Sequence, residues 1–359
     1  MNYSTRIEKL RARFEELNFS YFMTIFPPHV QYLTGFTGSS GLCLVGQSSV
    51  HFLTDGRYIG QSRQEVQHAE IIITSIGQNL FDKLAECKFL PDNSRVGFES
   101  AHVSFQSHAD FVAKFPACQF LPTQNVIETI ARIKDHSEIE NLRRAIAITE
   151  KTFETIIKEI KPGMTELEIA GRIGWLMRQF GGEKESFETI VATGARSALP
   201  HARPSGTKVR TGDVLLLDFG AVYHGYHADM TRCVVVGRAS DLQRRVYNIV
   251  KTAVEKAMAA AKPGLATAEL DAIARTHITE QGYGDYFTHS LGHGIGLEIH
   301  EAPLVGRTDK NLLEEGNVIT IEPGIYLPDQ FGIRIENDIL ITPEGYENLM
   351  QLPIDLIEI

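Results

Sequence analysis

Apolar positions set the first elements. Ile7, Leu10, Phe14 and Leu17 recur at helical spacing. Residues 20–25 form a strand-like run that stops at Pro27-Pro28. Residues 41–45 and 50–54 predict a hairpin closed by Asp55-Gly56. A helix over 57–66, a strand over 69–74 and then helix, strand and helix follow to about Val112. This alternation predicts a small α/β domain. The pattern changes across residues 122–135, and a charged helix runs from His136 toward Ile160. The expected domains are 1–128 and 129–359.

The second part contains an internal repeat. Lys161-Pro162-Gly163 opens an amphipathic helix over 165–180, with Thr165 and Glu168 at capping-box spacing. Lys262-Pro263-Gly264 opens a second helix over 267–281. The helices stop at Gly181-Gly182 and at Gly282, and a strand is expected near Phe187 and near Phe287. Pro200-His201-Ala202-Arg203-Pro204 matches Ile299-His300-Glu301-Ala302-Pro303. The apolar run from Gly212 to Asp218-Phe219-Gly220 matches the run from Gly316 to Glu322-Pro323-Gly324, and Gly225 to Asp229 matches Gly332 to Glu336. Two copies of one pattern predict a pseudo-two-fold domain with a site between its halves. The overall class is α+β.

Each copy keeps a His, an acid ending an apolar strand, and a second acid. The pairs are His201/His300, Asp218/Glu322 and Asp229/Glu336. A lone buried carboxylate costs several kcal/mol or is forced to stay protonated. Four near one axis call for cations among them, and a metal pair supplies these. A two-residue turn at His224-Gly225 would put Gly220 opposite Asp229 and Asp218 opposite Thr231. The two aspartates then share a face as diagonal neighbours, and Gly220 is expected to leave room for a cation. Glu322 and Glu336 are expected to repeat the arrangement. His293, flanked by glycines at the expected place of Thr193, is a fifth ligand. One imidazole with four carboxylates suits Mn²⁺, Co²⁺, Fe²⁺ or Zn²⁺. His224 and His227 are read as turn residues, Cys233 as a small core residue, and Trp175 and Phe180 as helix-face packing.

Composition narrows the classes. The chain has 359 residues with a formal charge of −10, which argues against general nucleic-acid binding. No apolar run approaches a membrane span, and no signal peptide is expected from the charged N-terminal stretch. Cys43, Cys87, Cys118 and Cys233 are scattered without CxxC, so neither disulfides nor a thiolate metal site is expected, and the location is expected to be cytoplasmic. Asp218-Phe219-Gly220 spells a kinase motif without its companions. GHGIG is not a dinucleotide fingerprint, HExxH is absent, and the GFTGSSG stretch reads as a plain turn.

The strings LLLDFG, HADMTR, SLGHGIG, IEPGIY and RIEND, with SALPHARPS and EIHEAP, resemble the pita-bread metallopeptidases, in their Xaa-Pro aminopeptidase and Xaa-Pro dipeptidase (prolidase) branch. The resemblance spans essentially the whole chain. It implies a creatinase/prolidase-like N-terminal domain and a pita-bread catalytic domain. It implies two divalent ions, Mn²⁺ first, with Asp218 on one, Asp229 and Glu336 bridging, and His293 and Glu322 on the other. A water between them would attack the bond preceding proline. The resemblance gives His201, His300 and Glu322 catalytic roles, and His201, His289, His300 and Arg334 substrate-side roles. It implies peptides with proline second as substrates, an aminopeptidase ahead of a dipeptidase, and a homodimer. Broader aminopeptidase action, a metal-free creatinase-like hydrolase and a non-catalytic binding module are the alternatives.

Overall fold

A computed structural model describes all residues, Met1–Ile359. The chain divides into two units, Met1–Ala131 and Arg132–Ile359.

The first unit alternates helices and strands. Helices α1 (Tyr3–Arg11) and α2 (Phe14–Leu17) lead into β1 (Tyr21–Thr24), and α3 (Pro27–Thr34) follows with prolines in its first turn. The predicted hairpin is β2 (Leu42–Gly46) and β3 (Val50–Thr54), paired antiparallel. Next come α4 (Ile59–Glu65), β4 (Glu70–Ile73), α5 (Leu80–Cys87), β5 (Arg95–Glu99), α6 (Phe105–Lys114), β6 (Gln119–Thr123) and α7 (Val126–Ala131). The six strands form one sheet in the order β4-β3-β2-β1-β5-β6. Leu42, Leu44, Leu53, Leu84, Val96 and Phe111 are buried in its core.

The second unit opens with α8 (His136–Glu159), capped by an Asp135–Glu138 box that ends the preceding loop. The predicted Thr165–Glu168 box caps α9 (Glu166–Gln179). The first half continues through β7 (Ile190–Thr193), β8 (Val214–Phe219), β9 (Val222–Tyr223), β10 (Tyr226–His227) and β11 (Met230–Val235). Helix α10 (Asp241–Ala260) links it to the second half, which repeats the order with α11 (Thr267–Glu280), β12 (Gly292–Gly294), β13 (Glu301–Val305), β14 (Val318–Ile321), β15 (Gly324–Leu327), β16 (Phe331–Arg334), β17 (Asn337–Thr342) and β18 (Gly345–Asn348). A last strand, β19 (Ile357–Glu358), returns to the first half. The sheets are β19-β11-β8-β7 and β13-β12-β14-β17-β18, with the ribbons β9-β10 and β15-β16 beside them. Strands β8 and β11 are buried at every position, so their polar residues lie within an apolar core.

Trp175 departs from the expected helix-face packing. It is half exposed, with the Arg172 guanidinium 4.0 Å above its ring, because the neighbouring Ile173, Leu176 and Met177 already fill the buried stripe of α9. Cys233 is a core residue, and burial pushes its thiol up to about 12. All four cysteines are free. No helix is long and apolar enough to cross a membrane.

Candidate metal centre

The turn at His224-Gly225 sets the first pair of acids. Tyr223 pairs with Tyr226 across it, and φ is +48° at His224 and +80° at Gly225, as a two-residue hairpin of primed type requires. Beyond it, Phe219 pairs with Met230 and Asp218 with Thr231. That register carries Gly220 to Asp229, so Asp218 and Asp229 are the diagonal neighbours that the spacing predicts. Gly220 serves a different purpose from the one expected. A Cβ there would lie 1.7 Å from the Ala228 carbonyl oxygen, so glycine permits two backbones to approach rather than leaving room for a cation.

The second pair is built differently. Ile321 pairs with Asn337, and Gly324 pairs with Arg334. One register serves both ladders and sets Glu322 directly opposite Glu336. The second half therefore does not repeat the diagonal arrangement: Glu336 occupies the ladder level that Thr231 holds in the first half. His293 also shifts. Gly294 pairs with Ile319 as Thr193 pairs with Leu215, so His293 stands at the level of Ala192, one residue before Thr193. Sequence alignment sees composition and spacing, whereas these positions follow from ladder register.

Hydrogen bonds orient the donors. Nδ1 of His293 faces the Gly294 carbonyl oxygen at 3.0 Å and so carries the proton. Its bare Nε2 lies 3.6 Å from Oδ2 of Asp229 and 3.5 Å from Oε1 of Glu322. Ligand atoms of Asp229, His293 and Glu336 all lie within 4.8 Å of one another. Oδ1 of Asp218 and Oε1 of Glu336 are buried without a partner.

Burial and mutual repulsion push the carboxyls of Asp229 and Glu336 well above the usual range, and burial takes Glu322 up to about 8. Burial lowers His293 to about 4, leaving it neutral at pH 7. Orphaned carboxylate oxygens, crowded acids and a lone imidazole nitrogen aimed among them fit divalent cations of mixed nitrogen and oxygen preference.

A frame of polar side chains surrounds these donors. Arg334 donates from Nη2 to Oδ2 of Asp218, from Nε to Oγ1 of Thr231 at 2.9 Å, and from Nη1 to the Tyr326 hydroxyl at 2.6 Å and the Pro200 carbonyl at 3.2 Å. Thr231 donates to Oε2 of Glu336 at 2.7 Å. The Asp229 amide donates to Oδ2 of Asp338 at 3.3 Å, and the His293 amide donates to Oγ1 of Thr320 at 3.1 Å. Both nitrogens of His289 hold protein partners: Nδ1 donates to the Ser290 carbonyl, and Nε2 accepts from the Tyr326 hydroxyl, each at 2.8 Å.

Thr231, Thr320, Tyr326 and Asp338 were not among the sequence candidates. The IEPGIY string contains Tyr326 and the RIEND string contains Asp338. The HADMTR string contains Thr231, and only Thr320 lies outside every quoted string.

All nine candidates (His201, Asp218, Asp229, His289, His293, His300, Glu322, Arg334 and Glu336) line one cavity of ≈ 550 Å³. His300 packs edge-on against His293 with ring centroids 4.5 Å apart, and burial lowers its pKa. His224 and His227 stay outside the cavity lining. His224 stacks on Tyr223, and burial lowers His227 to about 4.

Residues 140–343 match metallopeptidase family M24. The chain belongs to that family. Residues 6–133 match the creatinase/prolidase N-terminal domain. The second unit is accordingly a pita-bread domain, and this M24 metallopeptidase is a hydrolase that works with divalent metal ions. An Xaa-Pro dipeptidase of Pyrococcus furiosus is 38% identical over 98% of this chain and 99% of its own length. An Xaa-Pro dipeptidase structure from Bacillus anthracis superposes with a TM-score of 0.96 at 39% identity, covering 100% of both chains. An X-Pro aminopeptidase structure from Thermotoga maritima gives 0.92 at 38% identity, covering 97% of this chain and 100% of that one.

Proposed function

We propose that this M24 metallopeptidase is an exopeptidase that releases the N-terminal residue preceding proline. The carrying observation is the single cavity in which His201 and His300 stand beside Asp218, Asp229, His293, Glu322 and Glu336. In this reading Asp218, His293 and Glu322 would hold two divalent ions, with Asp229 and Glu336 available to both, and Mn²⁺ is the first choice with Co²⁺, Zn²⁺ or Fe²⁺ as alternatives. Bound there, two such ions supply Lewis acidity toward the peptide carbonyl and lower the pKa of a water.

The chain's own groups do the rest. Glu322 accepts the proton of the attacking water. His300, neutral at pH 7, donates a hydrogen bond to the carbonyl oxygen as charge develops on it. A proline nitrogen leaves as a secondary amine and needs a proton, which His201 delivers. Arg334 holds Asp218 and the carbonyl of Pro200, next to His201, in one grip. His289 fixes Tyr326, so its role is positional rather than direct contact with substrate.

Proline specificity rests on the names of the relatives and on chemistry. A Xaa-Pro bond has no N–H to donate, so recognition relies on shape and on the carbonyl. The cavity falls in the range that holds a drug-sized ligand.

The dipeptidase reading has its own support. Arg203 lies on the cavity wall 3.3 Å from Glu188, and a cation there suits a free C-terminal carboxylate. Turnover of Ala-Pro against Ala-Pro-Xaa peptides with Mn²⁺ decides. Faster release of Ala from the longer peptides supports the aminopeptidase, and cleavage of Ala-Pro alone identifies a dipeptidase. No release with any divalent ion from folded protein overturns both. The same reading takes the protein as a homodimer, which sedimentation tests.

A further inference from the structure

The N-terminal unit carries a second group of metal-ligating side chains. His29 lies in α3, His102 in the turn after β5, and Glu128 in α7. One ligand atom from each lies within 4.8 Å of the others. His29 is buried, while His102 and Glu128 each expose 22% of their side chain, which gives an ion a path from solvent.

The surroundings are organised as for a bound cation. Nδ1 of His29 is hydrogen-bonded to Oε1 of Glu99, itself only 4% exposed. A ligating histidine is commonly held in this way, with one nitrogen fixed by a carboxylate and the other turned to the ion. Oε2 of Glu99 and Oε2 of Glu128 are buried with no hydrogen-bond partner. Such oxygens are costly unless a positive charge stands near them.

Phe26 locks both imidazoles. It stacks on His102 at 3.6 Å and 8°, and meets His29 edge-on at 5.0 Å and 89°. The two imidazole centroids are 5.6 Å apart, near the roughly 5 Å expected for two rings on one tetrahedral ion. Nε2 of His102 and Oε1 of Glu128 are 3.9 Å apart, against roughly 3.4 Å for neighbouring ligands at zinc. A side-chain adjustment of about half an ångström closes that gap.

We propose that His29, His102 and Glu128 bind one Zn²⁺-type ion, with Glu99 holding His29 and water completing the shell. Two imidazoles and a carboxylate form a donor set that zinc favours. The ion ties α3, the turn after β5 and α7 into one piece. The site is separate from the catalytic cavity, and its ligands all belong to the first unit.

The test is zinc content by elemental analysis of the full-length protein, stripped with chelator and re-equilibrated with Zn²⁺. His102→Ala is expected to bind one ion fewer per chain than the unsubstituted protein while keeping its peptidase activity with Mn²⁺. Glu128→Gln, which preserves shape, makes the same comparison should His102→Ala fail to fold. The Asp229→Ala variant, emptied at the catalytic centre, is expected to retain a zinc ion that disappears when His102→Ala is added. Equal zinc content with and without the His102 and Glu128 substitutions overturns the proposal. That outcome leaves the catalytic reading untouched, because the count is a difference at the N-terminal site alone.

Discussion

Thr231 donates its hydroxyl proton to Oε2 of Glu336 at 2.7 Å, and the two residues hold equivalent ladder positions in the two halves of the pita-bread domain. They are pseudo-symmetry mates in contact. Each half supplies at that level what the other lacks: a donor in one, a carboxylate in the other. The same threonine oxygen accepts from Nε of Arg334.

Thr231→Val keeps the volume but removes both hydrogen bonds. It leaves a carboxylate oxygen and a guanidinium nitrogen unpaired in the core, at a cost of about 1–3 kcal/mol. Urea unfolding is expected to show that loss, together with weakened Mn²⁺ binding. Thr231→Ser is expected to restore most of both.

Tyr326→Phe removes the hydroxyl that joins Arg334 to His289. Disturbing groups that orient metal ligands typically costs about 10- to 100-fold in activity or metal affinity. A fall of that size in kcat/KM is the expected result, with a stability loss of about 1–3 kcal/mol because His289 and Arg334 each lose a partner. Unaltered kinetics would show that the frame around Asp218 tolerates the loss.

The metal-free protein has a pH dependence of definite sign. Unfolded, the Glu322 carboxyl ionises near its ordinary 4.5; folded, it holds its proton to about 8. Its contribution to stability is full below pH 4.5 and is lost as pH rises through 8. His289 and His293, lowered by burial to about 3 and about 4, are neutral when folded, and an unfolded imidazole is neutral above about pH 7.5, so they do not contribute above that pH. Calorimetry in chelator is expected to show the melting midpoint falling from about pH 7.5 to 9, and saturating Mn²⁺ should abolish that fall. A midpoint that rises over the same window would contradict this account.

Gly220→Ala sets a methyl group against the Ala228 carbonyl oxygen, and backbone on both sides must move. Overpacking of this kind costs about 1–3 kcal/mol or more. A lower midpoint in urea is expected, with activity reduced through displacement of Asp229 in the adjoining strand.

His293→Ala and Asp229→Ala remove donors at the centre of the cluster. Peptidase activity is expected to disappear and the bound Mn²⁺ to fall, while far-ultraviolet circular dichroism remains close to that of the unsubstituted protein.

Much of this was legible in the sequence because it is local. The His224-Gly225 turn fixed the pairing of Asp218 with Thr231, since a two-residue hairpin leaves one register. The capping box of α9 and the apolar runs of β8 and β14 are likewise short-range signals. The repeat disclosed the paired acids because ionisable residues recurred where apolar ones were expected.

The rest required the chain to be folded. The register of β14 against β17 set Glu322 opposite Glu336, and the pairing of β12 with β14 moved His293 to the level of Ala192. Each depends on strands joined by long connections, where spacing does not determine pairing. Thr231, Tyr326 and Asp338 acquire their roles from partners about a hundred residues away or on a different strand. His29, His102 and Glu128 meet only because α3, β5 and α7 pack together. Sequence determined which side chains carry the chemistry; tertiary structure decided which atoms face one another, because hydrogen bonds and ligand sites are set by distances that only packing brings into range.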